Sequence, residues 1–167
     1  MPPIRRLKVL QDAPPDEDRP AWHWAVIGVV FILSIWAPLA MLSSWVARRV
    51  SHLIVGDLPP DELSLRLADA SASARFWLWF VLTVGPVLAY GLACWASGAM
   101  VGRFGGKAGP REAAVAGAFA ALVGAGLTLV QTSAAASAAS LVILVPVGVG
   151  AAWLGGTFGK KRRGGVV

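Results

Sequence analysis

The chain has 167 residues, 56% of them hydrophobic and 14% charged, with a net charge of +6 and a mean hydropathy of +0.65. Soluble globular domains carry about 25% charged residues, so this composition excludes an ordinary water-soluble domain and points to one membrane domain. The positive balance does not point to nucleic acid, because Lys and Arg sit at the edges of apolar runs instead of interleaving with aromatic residues.

Residues 1–20, "MPPIRRLKVLQDAPPDEDRP", are polar and proline-rich. A secretory signal would place its apolar segment sooner and follow it with a small-residue cleavage site. The stretch therefore reads as a disordered, uncleaved tail. The first apolar run covers residues 22–47 and holds no Asp, Glu, Lys or Arg. It exceeds the roughly 20 residues that a helix needs to cross a bilayer core. Trp22 and Trp24 mark one end and Trp45 the other, as interfacial belts do. Trp36 falls mid-span and is either a packing or lipid-facing aromatic or an anchor for a partner helix or cofactor.

Residues 48–75 form the longest stretch between apolar runs. Within "LPPDELSLRLADASAS" the sequence predicts a short helix started by Pro59 and Pro60, with Leu63, Leu67 and Ala70 on one face. Asp61 and Glu62 fall in its first turn, where negative charge suits the helix dipole. Such an amphipathic helix lies on the membrane surface or caps the bundle. It serves either as a connector or as a docking element for a partner outside the membrane.

The second apolar run, residues 76–101, is framed by Trp77 and Trp79 at one end and Trp95 at the other. It contains Cys94, the lone cysteine, so no intrachain disulfide forms. The two histidines, His23 and His52, lie in different segments, and no metal-binding cluster is predicted.

The following "VGRFGGKAGPRE" resembles a phosphate-binding loop in its glycine content only. A P-loop requires a preceding strand and a Lys followed by Ser or Thr, whereas Lys107 is followed by Ala108 after a membrane helix. Gly102 is expected to end the second span, Pro110 to take the first helical position of the third, and Glu112 to sit in its first turn. The stretch is a turn. Its glycine amides with Arg103 and Lys107, and the tail residues Lys160, Lys161, Arg162 and Arg163, are candidate contacts for anionic lipid phosphates at the cytoplasmic face.

The third and fourth runs, residues 113–132 and 140–158, are separated by "SAAASAA" and together are too long for one span, so the chain must turn there. Gly117, Ala121 and Gly124 in the third run recur at helical spacing, as do Gly148, Ala152 and Gly156 in the fourth. Stripes without side-chain bulk let membrane helices approach closely. These form either a tight intrachain hairpin or a surface for other subunits or for self-association. Pro38, Pro86 and Pro146 inside the runs predict kinks.

The N-terminal stretch, the glycine-rich turn and the C-terminal residues 160–167 hold eleven of the 15 basic residues. The positive-inside rule then places both termini in the cytoplasm. The abundance of Arg, Ala, Gly and Val suits a GC-rich bacterial genome and hence a bacterial inner membrane. Ion-coupled transporters place ionisable residues within the membrane, and none lies in the interior of these runs. Nor does any nucleophile and base arrangement appear.

The expectation is an all-α integral membrane protein with four transmembrane helices in two antiparallel hairpins. No catalytic, cofactor or metal site is predicted. The function expected is that of a scaffold or accessory subunit of a membrane complex, acting through its Gly/Ala faces and outer loop. The alternative is a homo-oligomeric passive pore of the holin kind.

Overall fold

In hydrocarbon every backbone N–H and C=O must be bonded within its own segment, and each apolar run meets this demand as a helix. The computed structural model describes residues 20–56, 71–131 and 134–164. Helix α1 is Ala21–Val55. Helix α2 runs from Ala72–Trp79 through a π-helical turn at Phe80–Val84 into Gly85–Phe104. Helix α3 is Pro110–Gln131, and α4 is Ala134–Gly164. All four are long and apolar enough to cross a membrane, and no strand occurs among the described residues. The expected tail over residues 1–19, the predicted loop helix with Leu63, Leu67 and Ala70, and residues 165–167 lie outside the described residues.

The helices run past the ends that hydropathy marks. Arg48, Arg49 and His52 are helical, and α1 stops only at Gly56, which takes φ 79° and donates its N–H to the His52 carbonyl. Most of the predicted turn "SAAASAA" is the start of α4, because alanine is the best helix former whether or not the segment is within the bilayer. Lys161, Arg162 and Arg163 form the last helical turn instead of a tail, where positive charge suits the dipole. Gly102 does not end its span; α2 continues to Phe104.

The π turn has a chemical cause. Pro86 lacks an N–H, so the Leu82 carbonyl loses its helical donor. The helix widens just before it, and the Gly85 N–H reaches the Phe80 carbonyl five residues back.

The helices form a ring in the order α1, α2, α4, α3, each packed on the next. The two expected antiparallel hairpins, α1 with α2 and α3 with α4, join chiefly through α2 against α4, which run parallel. The centre is built from small residues: Ala93, Cys94, Ala113, Ala116, Ala120, Ala121 and Ala152 are buried, with Ile32 and Val101 as larger members. Large side chains such as Met41, Leu92, Leu127 and Val142 face outward. This inversion follows from the solvent. Lipid tails are as apolar as leucine, so burying leucine gains little, whereas small residues let backbones close on each other.

Three hydroxyls tie the ring together across helices. Tyr90 Oη donates to the Gly117 carbonyl at 3.0 Å, Ser97 Oγ to Gly28 at 2.9 Å and Ser137 Oγ to Ala125 at 2.8 Å. Trp36 packs edge-on against Tyr90, ring centroids 6.4 Å apart and 87° between planes, so this mid-span tryptophan is a packing aromatic. Tyr90→Phe keeps that ring contact and removes one interhelical bond. It is expected to cost about 0.6 kcal/mol, the mean for such bonds in membranes. Denaturant titration in mild detergent checks this; a loss of several kcal/mol would mean that the hydroxyl carries more than one bond.

Candidate functional site

The predicted packing residues close on one another inside the chain. A Cβ added to Gly117 would overlap the Gly148 carbonyl oxygen, and one at Gly148 would lie 2.6 Å from Tyr90 Oη. One at Gly156 would fall 2.8 Å from Pro110 Cα. Ala121 and Ala152 are fully buried. Gly124 sits at the edge of this seam, with Leu144 Cδ1 as the nearest neighbour of an added Cβ at 3.7 Å. The α3/α4 hairpin thus uses its own small-residue stripes.

Half of a second seam escaped the reading of the sequence: Gly155 and Gly159 stand out as a further small-residue row beside Gly148, Ala152 and Gly156, but their partners on α2 do not. Added Cβ atoms on Gly98 and Gly102 of α2 would overlap the carbonyl oxygens of Ala152 and Gly156, and those on Gly155 and Gly159 of α4 would overlap the carbonyls of Trp95 and Ala99. The two backbones touch along two turns. The signal was present as the four-residue spacing in "GAMVG". It is masked because Gly102 also stands beside Arg103, Gly105 and Gly106, where a helix end is the simpler reading.

At the end of the bundle where α1 begins and α4 ends, the glycine-rich turn is held by carbonyl and carboxylate bonds. Ala108 N–H donates to the Gly105 carbonyl at 2.8 Å around Gly106, whose φ is 56°. Glu112 Oε2 accepts from the Gly109 N–H at 2.7 Å, the glutamate half of a capping box, and α3 starts at Pro110 as expected. Trp24 packs beside Gly105. Arg163 reaches into this turn. Its Nε donates to the Arg103 carbonyl at 3.1 Å, Nη1 to Gly106, and Nη2 to Gly102 and to Ala108.

Of the predicted lipid contacts, Arg163 is therefore directed at protein carbonyls, and the turn presents carbonyls to that cation instead of a cradle of amides to an anion. Arg103, Lys107, Lys160, Lys161 and Arg162 lie exposed at the same end. Arg103 stands 5.4 Å from the Phe104 ring centroid and Arg162 4.5 Å from that of Phe158.

The opposite end carries a helical arm. Gly91 of α2 faces Val147 of α4. Thirteen residues earlier on each helix, Ala134 begins level with Leu78, so Ala72–Trp79 rises ahead of α4 and packs on α1. Phe76, Trp77 and Trp79 are exposed there. Phe76 stacks on Phe80 at 6.2 Å, and Trp77 meets Phe80 edge-on at 5.9 Å. No group of three or more His, Cys, Asp or Glu side chains placed to hold a metal occurs among the described residues. Comparison with protein families, with curated proteins and with solved structures finds no match in any of the three.

Proposed function

We propose that this chain is a non-catalytic subunit of a bacterial inner-membrane complex, with both termini cytoplasmic and the aromatic arm on the outer side. The observation that carries this reading is the arm itself: an aromatic cluster raised on two helices that support each other, at the end away from the glycine-rich turn and the basic last turn of α4. Exposed apolar clusters of this kind mark contact sites for protein or membrane. The small-residue seams are spent within the chain, so partners dock on the outward faces, the arm and the adjoining loop. The described bundle is closed by backbone contact at both seams, which favours a rigid scaffold over a pore through one chain. A pore of this protein would have to run between copies.

Native mass spectrometry after gentle extraction from the source membrane tests the reading. The expected result is one chain with other polypeptides, lost in a Phe76→Ser/Trp77→Ser variant whose melting temperature is unchanged. A clean homo-oligomer with ion flux in liposomes would replace the subunit with a pore. A bare monomer would overturn both.

A further inference from the structure

The arginines that Arg163 leaves outside the turn stand at the end of an apolar groove. This groove, of about 450 Å³, runs along α2 between α1 and α4 at the basic end. Phe31 of α1 and Phe158 of α4 are its sides, and Trp95 and Met100 of α2 line it between them. Its depth comes from small residues, Ala96 and Ala99 on α2 and Gly159 on α4. Arg103 and Arg162 belong to the same lining, at the ends of their helices, and Arg162 lies over the Phe158 ring that forms the wall.

We propose that this groove binds one anionic glycerophospholipid, with an acyl chain along Phe31, Trp95, Met100 and Phe158 and the phosphate between Arg103 and Arg162. The proposal is independent of whether the chain is a complex subunit. Three features argue for this occupant. The groove opens on the helix faces that meet hydrocarbon, so an acyl chain is the available filling. Guanidinium forks match the oxygens of a phosphate bidentately, which distinguishes this pair from diffuse lysine attraction. The charge is uncompensated within the described protein. Glu112 is the one acidic residue among the described residues, and its carboxylate caps Gly109 on another helix. Two adjacent cations also disfavour a zwitterionic lipid, whose ammonium group would be brought toward them.

The test uses the full chain in mild detergent, titrated with phosphatidylglycerol or with phosphatidylcholine of the same acyl chains and read by native mass spectrometry. Retention of phosphatidylglycerol in preference to phosphatidylcholine is expected. Arg103→Gln/Arg162→Gln is expected to weaken it by about a hundredfold, the loss of two charge-assisted contacts with the phosphate. Lys160→Gln/Lys161→Gln removes equal charge beside the groove and is expected to weaken it only a few-fold. Soluble glycerol phosphate is expected not to compete where the lipid binds, since it has no chain to place. Equal losses in the two charge variants would overturn the site in favour of diffuse attraction. Competition by glycerol phosphate would overturn the acyl groove. A tightly held polypeptide that blocks lipid in the unaltered protein would assign the groove to a protein occupant.

Discussion

Gly98→Leu is expected to abolish the folded bundle, and Gly98→Ala to destabilise it by about 1–3 kcal/mol, the usual cost of overpacking a tight interior. The reason is the identity of the atom in the way. An added Cβ at Gly98 meets the carbonyl of Ala152, which belongs to a hydrogen-bonded helix and has no rotamer to change. Relief requires α2 and α4 to separate. Yet Gly102, Gly155 and Gly159 hold the same pair at the same spacing, so separation at one point forfeits the dispersion contacts of two turns. Gly126→Ala and Gly150→Ala supply the internal control. Both glycines are helical, with nothing within 4 Å of an added Cβ. There the same chemical change is expected to be neutral or to stabilise by up to about 1 kcal/mol through helix propensity. Unfolding in detergent, followed by helical signal and by crosslinking of α2 to α4, separates the cases. Equal behaviour of Gly98→Ala and Gly126→Ala would mean that α2 and α4 do not meet backbone to backbone at Gly98.

The spans were legible because the bilayer imposes one simple test, about 20 apolar residues, and residues 22–47, 76–101 and 113–132 pass it plainly. The ends were not, because hydropathy reports where a helix meets water and not where it stops. Arg48 and Lys160 look like boundaries yet lie inside α1 and α4. Around the glycine-rich turn the local chemistry was readable: Pro110 and Glu112 start α3 as their types predict.

What no local pattern carries is partner choice. Gly117 and Gly148 announce a close approach, but nothing in their spacing says that they face each other. Trp36 stays ambiguous until Tyr90, from the neighbouring helix, comes to its ring. Arg103, Arg162 and Arg163 are equivalent in the sequence, three cations at helix ends. Packing alone sorts them, sending one guanidinium into the turn and two to the groove.

The sorted role of Arg163 leads to the second large effect. Arg163→Ala is expected to destabilise the protein by about 1–2 kcal/mol, within the range for hydrogen bonds made by a charged donor and lowered by partial exposure. The α2 carbonyls of Gly102 and Arg103 and the turn carbonyls of Gly106 and Ala108 would lose this donor together. These carbonyls lie at the negative end of the α2 dipole, so a cation there is favoured twice, by bonding and by charge. Arg163→Lys separates the two contributions. Lysine keeps the charge but cannot present a planar fork to several carbonyls at once, so only part of the stability is expected to return. Lys161→Ala, an exposed change two residues away in the same helical turn, is expected to stay within about 0.5 kcal/mol. Hydrogen exchange supplies a local readout: faster exchange at residues 103–109 in Arg163→Ala, with the middle of α3 unchanged. Full recovery in Arg163→Lys would reduce the latch to charge alone. A loss confined to the turn, with the α2/α4 seam unaffected, would show that the seam glycines hold the two helices together without it.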